Sequence, residues 1–366
     1  MSRYQLLNGP TVKSAVNCET SALTHQVPLN MKLLILGGTR FLGRHVAELA
    51  LAQGHEVSLL HRGQSGPELF PQAEHLIADR DGDLSVLKGR SWHAAIDTSA
   101  YVPRQVHSIS SALLAHVERY LLVSSISAYA EFSALGTDET AATQKLDDPL
   151  TETVSGATYG GLKALCEEAA LAAWGECCVV ARPGLIVGPH DPTGRFTWWL
   201  RRLQRGGEVL APGRPDAPVQ FIDVRDVAAW LLLQAQASTQ GLFNITGPGQ
   251  SLTMGEFLRT TQAALCPSAH LSWVDAQWLL EEGVKPWSEL PVWLPPESEG
   301  LHKMKLARAL ATGLGFTPLA QTIADTVAWA ATHPAPTHHS AVAQATVGMA
   351  VAREADLLAR CQRYPA

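Results

Sequence analysis

Short apolar runs alternate with amphipathic stretches along the first half of the chain. Met31–Leu36 is apolar and ends in Gly37-Gly38. Phe41–Gln53 then repeats its apolar residues at helical spacing, Gly54-His55 turns, and Val57–Leu60 is a second apolar run. Leu76–Ala78, Ala94–Asp97 and Tyr120–Val123 continue the series, with helical stretches at Leu84–Leu87 and Gln105–His116. Runs apolar at successive rather than alternate positions predict strands covered on both faces, and therefore a parallel sheet. Right-handed crossovers make it a doubly wound α/β sheet of Rossmann type. Phe132–Gly156 is polar and predicts a long loop, Thr158–Trp174 a helix and Cys177–Ala181 a strand. After that the pattern changes. Gly and Pro become frequent, strands shorten (Val219–Val224, Leu242–Ile245), and helices fall at Val227–Gln236 and Met254–Leu265. Val284–Ser298, with its prolines and tryptophans, predicts irregular chain. Ala307–Pro334 predicts a helix broken at Gly313–Pro318, and His338–Ala366 a last, surface-lying helix and tail.

Composition narrows the function classes. A 46% hydrophobic and 17% charged chain of 366 residues supports a sizeable core. A net charge of −6 lacks the basic footprint of a nucleic-acid binder, so small molecules are the expected partners. The cysteines (Cys18, Cys166, Cys177, Cys178, Cys266, Cys361) form no C-x-x-C pair, which argues against a disulfide framework or zinc site and for a reducing cytoplasm. No stretch approaches the roughly 20 apolar residues that span a bilayer, so no membrane partner is expected. The first 30 residues are mixed polar and predict a poorly ordered extension.

The candidate chemistry begins at Gly37-Gly38-Thr39-Arg40-Phe41-Leu42-Gly43, a Gly-rich turn between the first strand and the first helix. Backbone without side chains can approach a pyrophosphate there, and the helix N-terminus offers free N–H groups and partial positive charge. Arg40 stands where the middle glycine of the commonest version falls. At the end of the second strand, where NAD-specific chains place an acid for the ribose hydroxyls, this one has His61-Arg62. Arg62 would pair with a 2′-phosphate, so NADP(H) is favoured over NAD(H). Asp79, after the third strand, is placed to accept from an adenine amino group; the alternative is a turn-forming Asp in Asp79-Arg80-Asp81-Gly82.

Tyr159-Gly160-Gly161-Leu162-Lys163 is a Y-x-x-x-K at a helix start, with Tyr and Lys on one face. An unperturbed phenol has a pKa of about 10, and a neighbouring ammonium would favour its phenolate. Ser124-Ser125 follow the strand Tyr120–Val123, at the carboxyl edge where sites form in open α/β sheets. Ser125, Tyr159 and Lys163 are therefore the candidate catalytic set.

In these motifs the chain resembles the extended short-chain dehydrogenase/reductases of the NAD-dependent epimerase/dehydratase group. The carrying segments are Ile35–Gly43, Asp97–Arg104, Leu121–Ala130, Tyr159–Lys163, Ala181–Asp191 and Val219–Ala228. The Gly-Gly-Thr-Arg-Phe-Leu-Gly turn also resembles a branch holding bacterial reductases and chloroplast stem-loop RNA-binding proteins. The resemblance implies that Gly37, Gly38, Arg40, Phe41 and Leu42 line the pyrophosphate. Thr98 and Ser99 line the nicotinamide ribose, Pro183 contacts the nicotinamide side, and Tyr159 is the acid/base with Lys163 as its partner. Thr39, Gly43, Arg80, Ala100 and Ser124 complete the expected cofactor set. It further implies residues 31–185 as the dinucleotide-binding domain, 186–335 as mainly a substrate lobe with segments returning to the sheet, and 336–366 as a C-terminal helix and tail. Leu185 departs from the pattern, standing where nucleotide-sugar enzymes carry Asn. Tyr101, Tyr129, His190, Arg195, Trp198, Arg214 and Gln220 come from loops expected near the nicotinamide, although the tryptophan also suits a core and the arginines a solvated surface. No metal is expected. The leading expectation is hydride transfer on a carbonyl or hydroxyl carbon with NADP or NAD. The alternatives are an epimerase or dehydratase, an RNA-binding protein on the same fold, and a cofactor-sensing interaction protein. Folds of this kind often dimerise through helices flanking the sheet, which makes a homodimer a candidate assembly.

Overall fold

The computed structural model describes residues 30–333 and 347–361; the expected N-terminal extension and residues 334–346 and 362–366 of the expected tail lie outside the described residues. Strands β1 (Lys32–Leu36), β2 (Glu56–His61), β3 (Glu74–Ile77), β4 (Trp92–Asp97), β5 (Val117–Val123) and β6 (Cys178–Pro183) join the strand Gly241–Ile245 in one sheet. Its order is Gly241–Ile245, β6, β5, β4, β1, β2, β3, and every pairing is parallel.

The continuous apolar runs have a direct cause. Along β1, Leu33 and Ile35 enter one core and Leu34 and Leu36 another. Along β5, Leu121 and Val123 enter the first, and Tyr120 and Leu122 the second. The first core lies under helices α1 (Phe41–Ala52) and α5 (Val224–Gln236), the second under α2 (Pro103–Leu113) and α3 (Tyr159–Trp174). Both faces being covered, the middles of the central strands are apolar and polar residues fall towards the ends, as with Lys32 in β1, Glu118 and Arg119 in β5 and Asp97 closing β4.

The strand order reverses between β1 and β4. Leu36 pairs with Asp97 at the ends of these strands, and beyond them the chain departs in opposite directions. That crevice is where an open parallel sheet binds its ligand.

The second lobe has its own core, around Phe196, Trp199, Val209, Phe257 and Val274. Here the structure holds elements the pattern did not predict: strands Leu185–Val187, Glu208–Pro212 and His270–Val274, and helices α4 (Arg195–Gln204) and Ala276–Glu281. The strands run only three to five residues, too brief for their periodicity to register. The predicted strand Val219–Val224 is instead two bridges, Pro218–Val219 and Phe221–Asp223, because the Asp223 carboxylate accepts from Arg225 N–H and starts α5 at Val224. The last helix, Val351–Arg360, is docked. Glu354 is buried against the Arg202 guanidinium of α4, with Nε–Oε distances of 2.6 and 2.7 Å. Among the described residues no helix is long and apolar enough to cross a membrane.

Candidate functional site

The Gly-rich turn is shaped by close approach. Gly37 has φ +88°, in the left-handed region, and a Cβ there would lie 2.9 Å from the Thr98 hydroxyl. A Cβ on Gly43 would sit 2.2 Å from the Gly37 carbonyl oxygen, so α1 can press against the turn only with glycine at that place. Arg40 occupies the N-cap position in extended conformation, no side chain caps α1, and its first turn holds no acid. The first N–H groups of α1 are thus left without a side-chain acceptor, as a phosphate site requires. Thr39 is buried, Arg40 exposed, and the Leu42 side chain lies in the core, which leaves only its backbone for a ligand.

At the adenosine end the expectations divide. Arg62 is exposed with no ion partner among the described residues. His61 is already engaged: its Nδ1 accepts from Gly63 N–H (3.1 Å), and its Nε2 meets His75 Nδ1 at 2.8 Å. Asp79 accepts from Asp81 N–H at 3.0 Å, the turn-forming alternative. Arg80 does not face the crevice as a free cation. It grips Asp97 through two bonds of 2.8 and 2.7 Å and also donates to the Ser99 hydroxyl and the Gln105 carbonyl. Asp97 is wholly buried, and burial opposes its charge. Arg80, the Tyr120 hydroxyl and Ser99 N–H more than offset that and hold the carboxyl below its ordinary range. The strand-end carboxylate is what suspends Thr98, Ser99 and Ala100 over the crevice, and Thr98 is further tied to the Leu36 carbonyl at 2.8 Å.

Ser125, Tyr159 and Lys163 converge, with one change from expectation. The Ser125 hydroxyl accepts from Ser127 N–H at 3.1 Å and hydrogen-bonds the Tyr159 phenol. Burial pushes the phenol above its ordinary value and the Ser125 bond draws it part of the way back. Lys163, 4% exposed, turns Nζ to the Ala100 carbonyl (2.8 Å) and the Val123 carbonyl (2.6 Å). The ammonium also lies 5.8 Å from the centre of the Tyr101 ring. Ser124 is spent elsewhere, since its hydroxyl donates to Glu167, which also takes the Arg182 guanidinium in a buried pair. Pro183 closes β6, buried.

Of the expected substrate-side residues, Tyr101 alone is shown beside the candidate set, its ring 6.4 Å from that of Tyr159 and 41% exposed. Tyr129 is fully buried, its hydroxyl donating to Asn244 Oδ1 (2.6 Å) and its ring over Arg182, so it is core rather than substrate surface. Gln220 has both amide atoms on the Met304 backbone. Trp198 packs on Trp199 and Gly348 in the second core. Arg214 pairs with Glu299 and Asp216 at the surface. Arg195 stacks on Trp287 and donates to its carbonyl. His190 stands with His45 and His333 near the start of α1. Among the described residues no group of acids, cysteines and histidines is placed to hold a metal.

The sequence profile of the NAD dependent epimerase/dehydratase family matches residues 33–246, more than half of the chain. The chain belongs to that family. Among curated relatives, the chloroplast stem-loop binding protein of 41 kDa b from Arabidopsis thaliana is 26% identical over 253 residues, 64% of this chain and 64% of that protein, so just under two thirds of its length is spanned. The Bordetella bronchiseptica enzyme WbmG, solved with NAD, superposes with a TM-score of 0.62 at 17% identity, covering 85% of this chain and 98% of that one. Human epimerase family protein SDR39U1 (isoform2), solved with NADPH, superposes with a TM-score of 0.57 at 20% identity, covering 81% and 99%. At these identities the structures attest the fold. Within the epimerase/dehydratase family frame, Leu185 lies in a strand of the second core, buried, and offers no polar group to a ligand. Asp97 and Glu167 are the organising residues that sequence reasoning missed. The available signals were an acid closing an apolar strand and an acid one turn beyond Lys163 on α3.

Proposed function

We propose that the chain is a nicotinamide-dependent oxidoreductase acting on a carbon that bears a carbonyl or hydroxyl, with Tyr159 exchanging the proton of the substrate oxygen. The observation that carries this reading is the Ser125–Tyr159 pair at the carboxyl end of β5, beside the crevice where β1 and β4 part. The uncapped start of α1 and the close Gly37–Gly43 approach fit a pyrophosphate. Bound there, a nicotinamide supplies or accepts the hydride. Tyr159, held protonated at neutral pH by burial, is in the form that donates to an oxygen gaining negative charge, and Ser125 steadies the phenol oxygen as the proton leaves. Lys163 places a buried positive charge behind the pair, close to Tyr101.

Arg62, exposed and unpaired, together with the absence of a carboxylate at the end of β2, supports NADP(H) and with it the reductive direction. Relatives have been solved with NAD and with NADPH, so the cofactor that co-purifies is informative: retained NAD would favour an epimerase, exchangeable NADP a reductase. The likeness to a stem-loop binding protein supports RNA binding as a second reading, against which the net charge of −6 weighs; a salt-dependent RNA affinity would favour it. The direct test is Tyr159→Phe. Turnover of a panel of carbonyl substrates with NADPH should fall about 10²–10⁴-fold, while NADPH binding stays within about twofold. Wild-type turnover in the variant would end the assignment.

A further inference from the structure

Arg40 and Arg44 lie one turn apart at the start of α1. Across from them is His190, on the loop leading from Leu185–Val187 into α4. With Thr39, Phe41 and Pro192 they line a cavity of about 180 Å³. That is well below the roughly 300–1,000 Å³ that encloses a drug-sized molecule, but it is room for a compact anion. No carboxylate lines it; Asp191, between His190 and Pro192, is wholly buried and accepts from Thr193 N–H and its hydroxyl. Arg44 makes no side-chain hydrogen bond or ion pair among the described residues, and its Nε is buried without a partner. A guanidinium in that condition calls for an acceptor. His190 holds φ +67°, the left-handed region that a non-glycine residue rarely adopts, and strain of this kind collects at ligand sites. Its ring lies 5.8 Å from that of His45, 5.8 Å from that of His333 and 5.4 Å from that of Trp329. Burial, with Arg44, His45 and His333 nearby, depresses the His190 imidazole to about 4, so it meets a ligand as a neutral hydrogen-bonding ring and the cations lining the cavity are Arg40 and Arg44.

We propose that Arg44 and His190 form a side-chain clamp for the dinucleotide's diphosphate, extending the Gly-rich turn along the cavity that Thr39, Arg40 and Phe41 also line. The inference rests on the reading of the chain as a dinucleotide enzyme and adds residues that the turn motif does not name. It also gives the clamp a second role. Arg44 belongs to the layer under the sheet, whereas His190 leads into the helix that anchors the second core. A diphosphate bound between them ties the substrate lobe to the cofactor sheet.

The test is calorimetric titration of the full chain and two variants with NADPH, ADP-ribose and adenosine 2′-monophosphate, the last carrying no diphosphate. Arg44→Gln is expected to weaken NADPH and ADP-ribose about tenfold or more and to leave adenosine 2′-monophosphate within about twofold. Its urea midpoint without ligand should equal or exceed that of wild type, because an unpartnered charge has been removed. His190→Asn, which keeps a residue suited to positive φ, should weaken the same two ligands several-fold. Wild-type affinity for ADP-ribose in both variants would overturn the clamp. So would equal weakening of all three ligands, which marks a structural role. If the wild-type chain itself binds neither NADPH nor ADP-ribose, the functional reading falls first, and that outcome is distinguishable because it needs no variant.

Discussion

Replacing Arg80 with Met separates two roles that the residue's position leaves open. Its guanidinium could serve a nucleotide at the carboxyl edge; in the structure it serves Asp97. The Arg80 side chain is 10% exposed and that of Asp97 0%, and the pair is bidentate at 2.8 and 2.7 Å. Removing the cation leaves a buried carboxylate with only the Tyr120 hydroxyl (2.7 Å) and Ser99 N–H (3.0 Å) as donors. Breaking a buried pair from one side costs about 3–5 kcal/mol. Against a total of about 5–15 kcal/mol, that is a large share. With a urea m-value of about 3 kcal/mol/M, the midpoint of the unliganded protein should fall by roughly 1 M or more. In the variant the Asp97 carboxyl, deprived of its cation, titrates above its unfolded value. Its stability is then recovered as pH falls and lost as pH rises through the new pKa, the reverse of wild type. Adding Asp97→Leu should restore much of the loss, since the orphaned charge goes with it. Nucleotide affinity will also drop, because Ser99 hangs from the same pair, and so unliganded stability is the deciding measurement. An unchanged midpoint with weakened NADPH binding would refute the reasoning and return Arg80 to the ligand.

Two further outcomes follow from single groups. Arg62→Ala should weaken NADPH about tenfold and NADH within about twofold by titration; an unchanged ratio of the two affinities would remove the argument for a 2′-phosphate. His302 is buried and neutral, its Nδ1 accepting from Gln220 N–H (3.0 Å) and its Nε2 bonded to the Val292 carbonyl (2.8 Å), and burial depresses its pKa to about 4. A histidine depressed in this way stabilises the fold above its unfolded pKa of about 6.5 and loses that contribution as pH falls towards 4, about 2 kcal/mol of it by pH 5. The stability gap between wild type and His302→Gln in urea should therefore narrow by that amount from pH 7 to pH 5. A gap that does not change with pH would count against the depressed value. The gap is the proper readout because Asp191, raised to about 6 by burial, runs with the opposite sign in both proteins and cancels.

What could be read from the chain before any coordinates depended on how locally each feature is determined. The sheet was legible because burial on both faces makes Leu33–Leu36 of β1 and Tyr120–Val123 of β5 continuously apolar, and the Gly-rich turn because Gly37 is pressed by Thr98 and Ser99 and Gly43 by the Gly37 backbone. Position relative to a strand end placed Ser125, and helical spacing placed Tyr159 with Lys163, since both depend on neighbours a few residues away. What failed depended on distant partners. Arg80, His61 and Ser124 carry the right groups at the right strand ends, yet each is taken by a side chain that no local pattern reveals: Asp97, His75 and Glu167. Tyr129 and Gln220 failed for the same reason, drawn to Asn244 and to the Met304 backbone. The edge of a parallel sheet thus holds more polar groups than the ligand needs. The surplus forms the scaffold: Asp97 with Arg80 suspends the loop over the crevice, and Glu167 with Arg182 and Ser124 ties helix α3 to β5 and β6. A polar residue there is a ligand contact only when no internal partner claims it. By that criterion Arg40, Arg62 and Arg44, none of which has a side-chain partner among the described residues, are the cations we propose for the cofactor, and the first two were within reach of the sequence alone.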